Sequence, residues 1–171
     1  MMNGYKNFAD DVSLAFAEYL KQGKFKVKFE SWFKGEFCYS VILESVSQYL
    51  DFYVDSGNLG VYIIDNATLE FMDMDDLILF FNPGIDLKGE KSRYFHHNYY
   101  EDFKGSGKST AEQASITVKH LCLGELNAYS KLIGKYLNET IFTDRHDWTE
   151  QVKLTGRLLH ISKADGITVL R

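Results

Sequence analysis

Apolar and charged residues alternate in KFKVKFESWF, residues 24–33, and this period of two is the feature that most limits the possible folds. Phe25, Val27 and Phe29 alternate with lysines there, as on a strand with one face in water. Three more apolar runs follow, separated by turn residues: FCYSVIL (37–43), YLDFYVD (49–55) and GVYIID (60–65). The turn spacing predicts an antiparallel meander of about four strands.

Helical spacing predicts three helices. The first has one apolar face and is ended by Gly23: Phe8, Val12, Ala15, Phe16, Tyr19 and Leu20. MDDLILFFNPG predicts a short helix with Asp73 near its start and Asn82-Pro83-Gly84 at its end. Residues 124–140 predict another helix with an apolar face: Leu126, Tyr129, Leu132, Ile133, Tyr136 and Leu137.

Two stretches stay open between helix and strand. Residues 37–54 also carry apolar residues at helical spacing. ASITVKHLCL alternates like a strand, whereas Ser109 and Glu112 have the spacing of a capping box that begins a helix. Residues 84–109 lack clear periodicity and are predicted to be irregular, and residues 151–171 are predicted to form a C-terminal hairpin.

Helices interspersed with sequential antiparallel strands predict an α+β fold. Its expected form is a mostly antiparallel sheet, a meander plus the C-terminal hairpin, packed with the N-terminal helix and one or two further helices. The 171 residues contain one proline and no evident linker, so residues 1–171 are predicted to form a single globular domain.

The charge balance limits the classes of partner. The chain has 24 acidic and 19 basic side chains, a formal charge of −5. Nucleic acids and anionic membranes are disfavoured as main partners, because binding them requires clustered Lys and Arg. The balance instead suits a basic protein partner, although a charge this modest is also explained by plain solubility, which is the favoured interpretation.

The sequence predicts a cytoplasmic protein. Asp10 and Asp11 lie where a signal peptide would be apolar, and the longest run of large apolar residues, 77–81, is too short to cross a bilayer. Cys38 and Cys122 form no metal or redox motif and are expected to be reduced core thiols, with a disulfide between them left open.

KGSGKST, residues 104–110, ends like the phosphate-binding loop of nucleotide hydrolases. Such a loop needs a glycine five residues before Gly107, and that position is Asp102, whose carboxylate would oppose phosphate oxygens. The preceding SRYFHHNYYEDF also lacks the branched aliphatic residues of a buried strand. We therefore interpret the segment as a flexible glycine loop, and nucleotide binding through Lys108 and Ser109 is the disfavoured alternative.

Metal and cofactor sites are not expected. His96 and His97, with Glu101 and Asp102, contain possible ligands, but adjacent histidines rarely converge on one ion without a turn between them. A surface loop with polar tips is the preferred interpretation.

Catalytic groups are not expected either. The pair His146–Asp147 lacks a nucleophile turn such as Gly-x-Ser-x-Gly, so turn or cap chemistry is favoured. The lysines at 24, 26 and 28 are interpreted as protection of a sheet edge. His120 and His160 lie in strand-like apolar stretches and are expected to be satisfied, partly buried histidines.

Two clusters have the composition of a protein-recognition surface. The first is acidic, at 70–76, and a charged helix start explains part of it. The second interleaves aromatic rings with charges at 94–103, and burial of these rings over the core stays an open alternative. The predicted partner-binding residues are Asp73, Asp75, Asp76, Tyr94, Tyr99, Tyr100, Glu101 and Asp102.

In character the chain resembles immunity proteins of bacterial toxin systems, foremost those of contact-dependent growth inhibition. The resemblance rests on the acidic group at 73–76 and the aromatic–acidic segment 94–103 in a small acidic chain without a catalytic signature. It implies a tight one-to-one complex with a cognate toxin domain, often a basic nuclease, and no enzymatic activity. The alternatives are a small nucleotide- or phosphate-binding enzyme using the GSGKST loop, and a structural or adaptor module.

Overall fold

The computed structural model describes residues 8–33, 38–55, 58–94, 110–137, 147–153 and 159–160. The helices within these residues are α1 (Phe8–Ala15), α2 (Ala17–Lys21), α3 (Met74–Phe81), α4 (Leu87–Tyr94), α5 (Thr110–Tyr136) and α6 (Asp147–Lys153). The strands are β1 (Lys26–Phe33), β2 (Cys38–Glu44), β3 (Gln48–Asp55), β4 (Asn58–Asp65), β5 (Glu70–Asp73) and β6 (Leu159–His160). The predicted α+β class is confirmed, with more helices than expected.

The described strands form one antiparallel sheet in the order of the sequence, from β1 to β6. The meander is therefore confirmed, and the helical alternative for residues 37–54 is wrong. In the register of β2 and β3, Leu43 pairs with Leu50 and both are fully buried. Val46, which a helix would have buried, lies at the turn between these strands and is 68% exposed.

A bulge interrupts the alternation of β1. The register to β2 shifts between Val27 and Phe29. Phe25 is buried as predicted, but Val27 is 41% exposed, so the expected inward direction of Val27 is wrong. The register leaves Lys28 as the extra residue, directly after Val27, so the regular alternation of faces is broken at this point. The hydrophobic pattern alone does not reveal it.

Two lysines beside this bulge contact Glu44 at the edge of the described sheet. Lys26 Nζ lies 2.9 Å from Glu44 Oε2, and Lys28 Nζ lies 3.4 Å from Glu44 Oε1. The hydrogen bond from Lys26 lowers the pKa of the Glu44 carboxyl, which keeps it ionised. Lysines and a bulge on an edge strand both hinder pairing with another chain, which supports the interpretation of edge protection.

The hydrophobic core lies between one face of the sheet and the described helices. The sheet contributes Val41, Leu43, Leu50, Phe52, Val61 and Ile63, and the helices contribute Phe8, Val12, Leu126, Leu132 and Ile133. Phe16, at the break between α1 and α2, is fully buried with its ring centroid 4.9 Å from that of Phe52. Gly23 has a φ of 69° and follows α2, as the sequence predicted for the end of the first helix.

Helix α5 includes residues 110–123, for which the sequence left both helix and strand open. It is 27 residues long, about 40 Å, so the segment that alternates like a strand is helical. The spacing of Ser109 and Glu112 was the informative signal, although Ser109 lies outside the described residues. The face predicted for the second half of the helix is confirmed, with Leu126 fully buried and Tyr136 half-buried.

Helix α4 corrects the prediction that residues 84–109 are irregular, at least for residues 87–94. Its sequence, LKGEKSRY, is too polar to show an apolar period. Asp86 Oδ1 accepts a hydrogen bond from Gly89 N at 3.0 Å, which satisfies a donor of the first turn. A Cβ at position 89 would collide with the Asp86 carboxylate. Residues 95–109 lie outside the described residues.

The predicted C-terminal hairpin is wrong at residues 151–153, which belong to α6. β6 lies within the first predicted strand of that hairpin and pairs with β5, a strand of four residues that the sequence did not predict. Residues 161–171 lie outside the described residues. Trp148 is a fully buried residue of α6.

We expect Trp148→Phe to lower the free energy of unfolding by about 2 kcal/mol. The indole Nε1 donates a hydrogen bond to Gln48 Oε1 at 2.9 Å, and both residues are fully buried. Phenylalanine cannot replace this donor. Urea denaturation measures the loss, and adding Gln48→Met should recover part of it, because an apolar pair leaves no acceptor unsatisfied. A double variant with the full additive loss would contradict this account.

Candidate functional site

The acidic residues predicted as partner contacts begin α3. Asp73 is the last residue of β5, with extended backbone, and its Oδ1 accepts a hydrogen bond from Asp75 N at 2.8 Å. Asp73 is therefore the N-cap. Asp75 and Asp76 lie in the first turn, where the positive end of the helix dipole stabilises carboxylates. Asn82 ends the helix, so both predicted boundaries of this helix are confirmed.

Asp75 connects three helices. Lys91 Nζ of α4 donates to Asp75 Oδ2 at 2.5 Å and to Tyr129 Oη of α5 at 2.8 Å. Tyr129 Oη in turn donates to Asp75 Oδ1 at 2.8 Å, which closes a triangle of hydrogen bonds. Burial raises the pKa of the Tyr129 phenol, and the Asp75 carboxylate raises it further, so the phenol remains a donor at neutral pH.

Two further carboxyl groups crowd this triangle. Burial raises the pKa of Asp73, and the carboxylates of Asp75 and Asp76 add to this, against the hydrogen bond from Asp75 N. Glu125 of α5 is exposed as a whole residue, but crowding of its carboxyl by neighbouring atoms raises its pKa. Asp75 strengthens that shift and Lys91 opposes it. We call these residues the acidic junction: Asp73, Asp75, Asp76, Lys91, Glu125 and Tyr129.

The acidic junction carries more negative than positive charge. Four of its side chains are carboxyl groups and one is an ammonium group. A raised carboxyl pKa is the expected response to burial and to like charges, and perturbed values of this kind occur often at functional sites. At neutral pH the acidic junction therefore favours the approach of a cationic group. Asp76 of α3 and Glu125 of α5 are its exposed acidic residues, and of these two Glu125 has the crowded carboxyl group.

A second ionic cluster fixes α4 on α5. Glu90 Oε2 accepts hydrogen bonds from Lys135 Nζ at 2.7 Å and from Tyr136 Oη at 2.9 Å. Glu90 Oε1 lies 2.8 Å from Arg93 Nη1. The bonds from Lys135 and Tyr136 lower the pKa of Glu90. The Glu90 carboxylate thus contacts two cations, Lys135 and Arg93, whereas the acidic junction contains more carboxyl groups than cations.

The structure brings together three of the predicted partner-binding residues, Asp73, Asp75 and Asp76. It places Tyr94 at the end of α4, half-buried against the core, with Lys135 Nζ 6.0 Å from its ring centroid. Tyr94 thus belongs to the second ionic cluster. The other four predicted residues lie outside the described residues: Tyr99, Tyr100, Glu101 and Asp102.

Sequence reasoning missed Lys91, Glu125 and Tyr129 as members of this site. Lys91 is 16 residues and Tyr129 is 54 residues from Asp75 along the chain. Tyr129 had been assigned to the apolar face of its helix, where it does lie, and nothing in the local sequence indicates the polar contact of its hydroxyl. Only the packing of α3, α4 and α5 brings these side chains together.

The phosphate-loop candidate is described only where it ends. Residues 104–109 lie outside the described residues, and α5 begins at Thr110, directly after Gly107-Lys108-Ser109. The element that precedes the loop among the described residues is a helix, α4, whereas a phosphate-binding loop follows a buried strand.

The remaining candidate groups add little chemistry. His96, His97 and His146 lie outside the described residues, and His120 lies on α5 rather than on a strand. Among the residues that the structure describes, no three His, Cys, Asp or Glu side chains are placed to hold a metal ion. Cys122 is free and buried, and burial raises its pKa to about 12, so it is not an activated nucleophile.

Comparisons with known proteins find no relative of this chain. A scan against protein-family models finds no match, and searches of curated proteins and of solved structures find none either. In the described part of the chain, every helix is too short or too polar to span a bilayer.

We expect Asp73→Asn to raise the free energy of unfolding at pH 7 by about 0.5 kcal/mol. Because the folded pKa of Asp73 is raised, its charged form lowers stability above that pKa, and asparagine removes the charge but keeps the cap. The gain should vanish as the pH falls through the folded pKa towards the ordinary value of 3.8. Denaturant titrations across this range measure it. A gain that does not change with pH would show that charge is not its cause.

Proposed function

We propose that this protein is a cytoplasmic inhibitory binding protein that neutralises a cognate toxin domain, with a nuclease domain as the expected target, by forming a tight one-to-one complex. The observation that supports this most is the net negative charge of the acidic junction, where, among the described residues, the carboxyl groups of Asp73, Asp75, Asp76 and Glu125 lie around the ammonium group of Lys91. A basic partner would be steered to such a surface and held in register by it. The role needs neither catalysis nor a cofactor.

The carboxylates of the acidic junction make different contacts and therefore have different roles in the proposed complex. Asp73 caps α3 and Asp75 holds Lys91 and Tyr129, so both maintain the structure of the surface. Asp76 is exposed. Asp76 is therefore the carboxylate at which a partner's lysine or arginine is expected to bind, and Asp75 sets the position of the helix that presents it.

The complex is best tested with the toxin that we expect to be encoded directly upstream. In the presence of this protein the toxin domain should lose its activity, and the two chains should elute together at equal stoichiometry. A basic nuclease that stays fully active with excess protein present would contradict the proposed function.

We expect Asp76→Lys to slow association with this toxin domain about tenfold at low salt, with a much smaller change in dissociation. The substitution places a positive charge in the path of a basic partner. Surface plasmon resonance at two ionic strengths measures both rate constants, and the difference should shrink at high salt because the charges are screened.

Glu18→Lys on α2 is the matched control. Glu18 is also exposed, lies in the first turn of a helix and changes the net charge by the same amount. It should associate almost as the wild type does. Equal slowing by both substitutions would indicate a general charge effect, and an unchanged rate for Asp76→Lys would exclude the acidic junction as the contact surface.

A further inference from the structure

The outer side of helix α3 carries large apolar residues as well as carboxylates. Five consecutive residues, 77–81, are large and apolar. Leu77 and Ile78 are fully buried in the core, whereas Leu79 is 36% exposed and Phe80 is half-buried. A surface helix normally carries polar residues on its outer face, and a helix that is apolar all round is normally covered.

The exposed apolar residues of α3 lie on the same side as its carboxylates. Residues three or four apart are neighbours on a helix surface, so Asp76 is adjacent to Leu79 and Phe80, and Asp73 lies one turn before Asp76. The outer face of α3 thus presents a carboxylate end and an apolar end within about 12 Å, the length of an eight-residue helix.

We propose that the outer face of α3 is the anchor site for the partner, and that it binds a segment in which a lysine or arginine lies next to a leucine-sized or aromatic side chain. The cation would contact Asp76, and the apolar side chain would cover Leu79 and Phe80. This inference rests on the proposed function, because its occupant is the same basic partner. It adds the apolar half of the recognition element, which net charge does not indicate.

Charge complementarity excludes the other simple occupants. Two copies of the chain related by a two-fold axis through this face would place two acidic junctions in one interface, and each of them carries more negative than positive charge. An anionic lipid surface would be repelled by the same groups.

The size of the face also defines its role. A stable complex buries roughly 800 Å² on each partner, more than one helix of eight residues supplies. Buried apolar anchors surrounded by weaker contacts account for most of the binding free energy in such interfaces. Leu79 therefore fits the central anchor, with the acidic junction as its polar border.

The inference is tested with Leu79→Gln in the full chain, using the upstream toxin domain as the binding partner. Glutamine is a good helix former of similar length, so the fold should be retained. We expect the dissociation constant to rise at least tenfold, mainly through faster dissociation. Leu14→Gln is the matched control, because Leu14 is 63% exposed on α1, another eight-residue helix; it should change affinity less than twofold.

The outcomes separate the inference from the proposed function. If the wild type neutralises the toxin and Leu79→Gln binds equally well, the proposed function stands and the anchor at α3 is wrong. If the wild type does not bind the toxin, the proposed function fails, and a photo-crosslinking residue at position 79 in the native cells decides the inference. An adduct on a segment with adjoining basic and apolar residues supports it; an adduct with a second copy, or none, overturns it.

Discussion

The contact of the α5 face with the sheet is the constraint on which the positions of the other described helices depend. Leu126, Leu132 and Ile133 are fully buried there, and burial of apolar area on this scale is the main favourable term in folding. The same helix carries Tyr129 and Lys135, which reach Asp75 of α3 and Glu90 of α4. Hydrogen bonds to charged groups are directional. These two contacts therefore determine the orientation of α3 and α4 on the core, which hydrophobic burial alone would define less well.

The parts of the fold that could be predicted from sequence are those marked by local residue types. β2, β3 and β4 are apolar runs separated by turn residues, although residues 39–43 of β2 are all buried and do not alternate between solvent and core. The start and end of α3 have local cap and stop residues. Helix α4 could not be predicted, because its stability comes from Asp86 at its start and from ion pairs with α5. β5 is only four residues long and merges directly into the cap of α3. The bulge in β1 leaves no mark in the hydrophobic pattern.

The sequence predicted three of the acidic residues of the candidate site, but it did not predict how their side chains are arranged. The sequence indicated that Asp73, Asp75 and Asp76 belong together, since they lie within four residues. It also placed Asp73 near the start of the helix, but it could not indicate that Asp75 is held by Lys91 and that Asp76 remains exposed. The position of Asp75 arises from the packing of α3 against α4 and α5. These differences matter for function, because carboxylates of similar appearance in the sequence then have different effects when they are replaced.

In the proposed interface, the neighbouring residues Asp76 and Leu79 would affect different steps of binding. A carboxylate acts over a distance of about 8 Å at physiological ionic strength, so it influences how often a basic partner arrives in the correct orientation. An apolar side chain acts only at contact, after water has left, so it influences how long the partner stays. Since most differences in affinity between related complexes are differences in dissociation, a partner that matched only the charge of the acidic junction would associate readily and dissociate readily. Under the proposed function, specificity for one cognate toxin would therefore require the apolar residues of α3 in addition to the carboxylates.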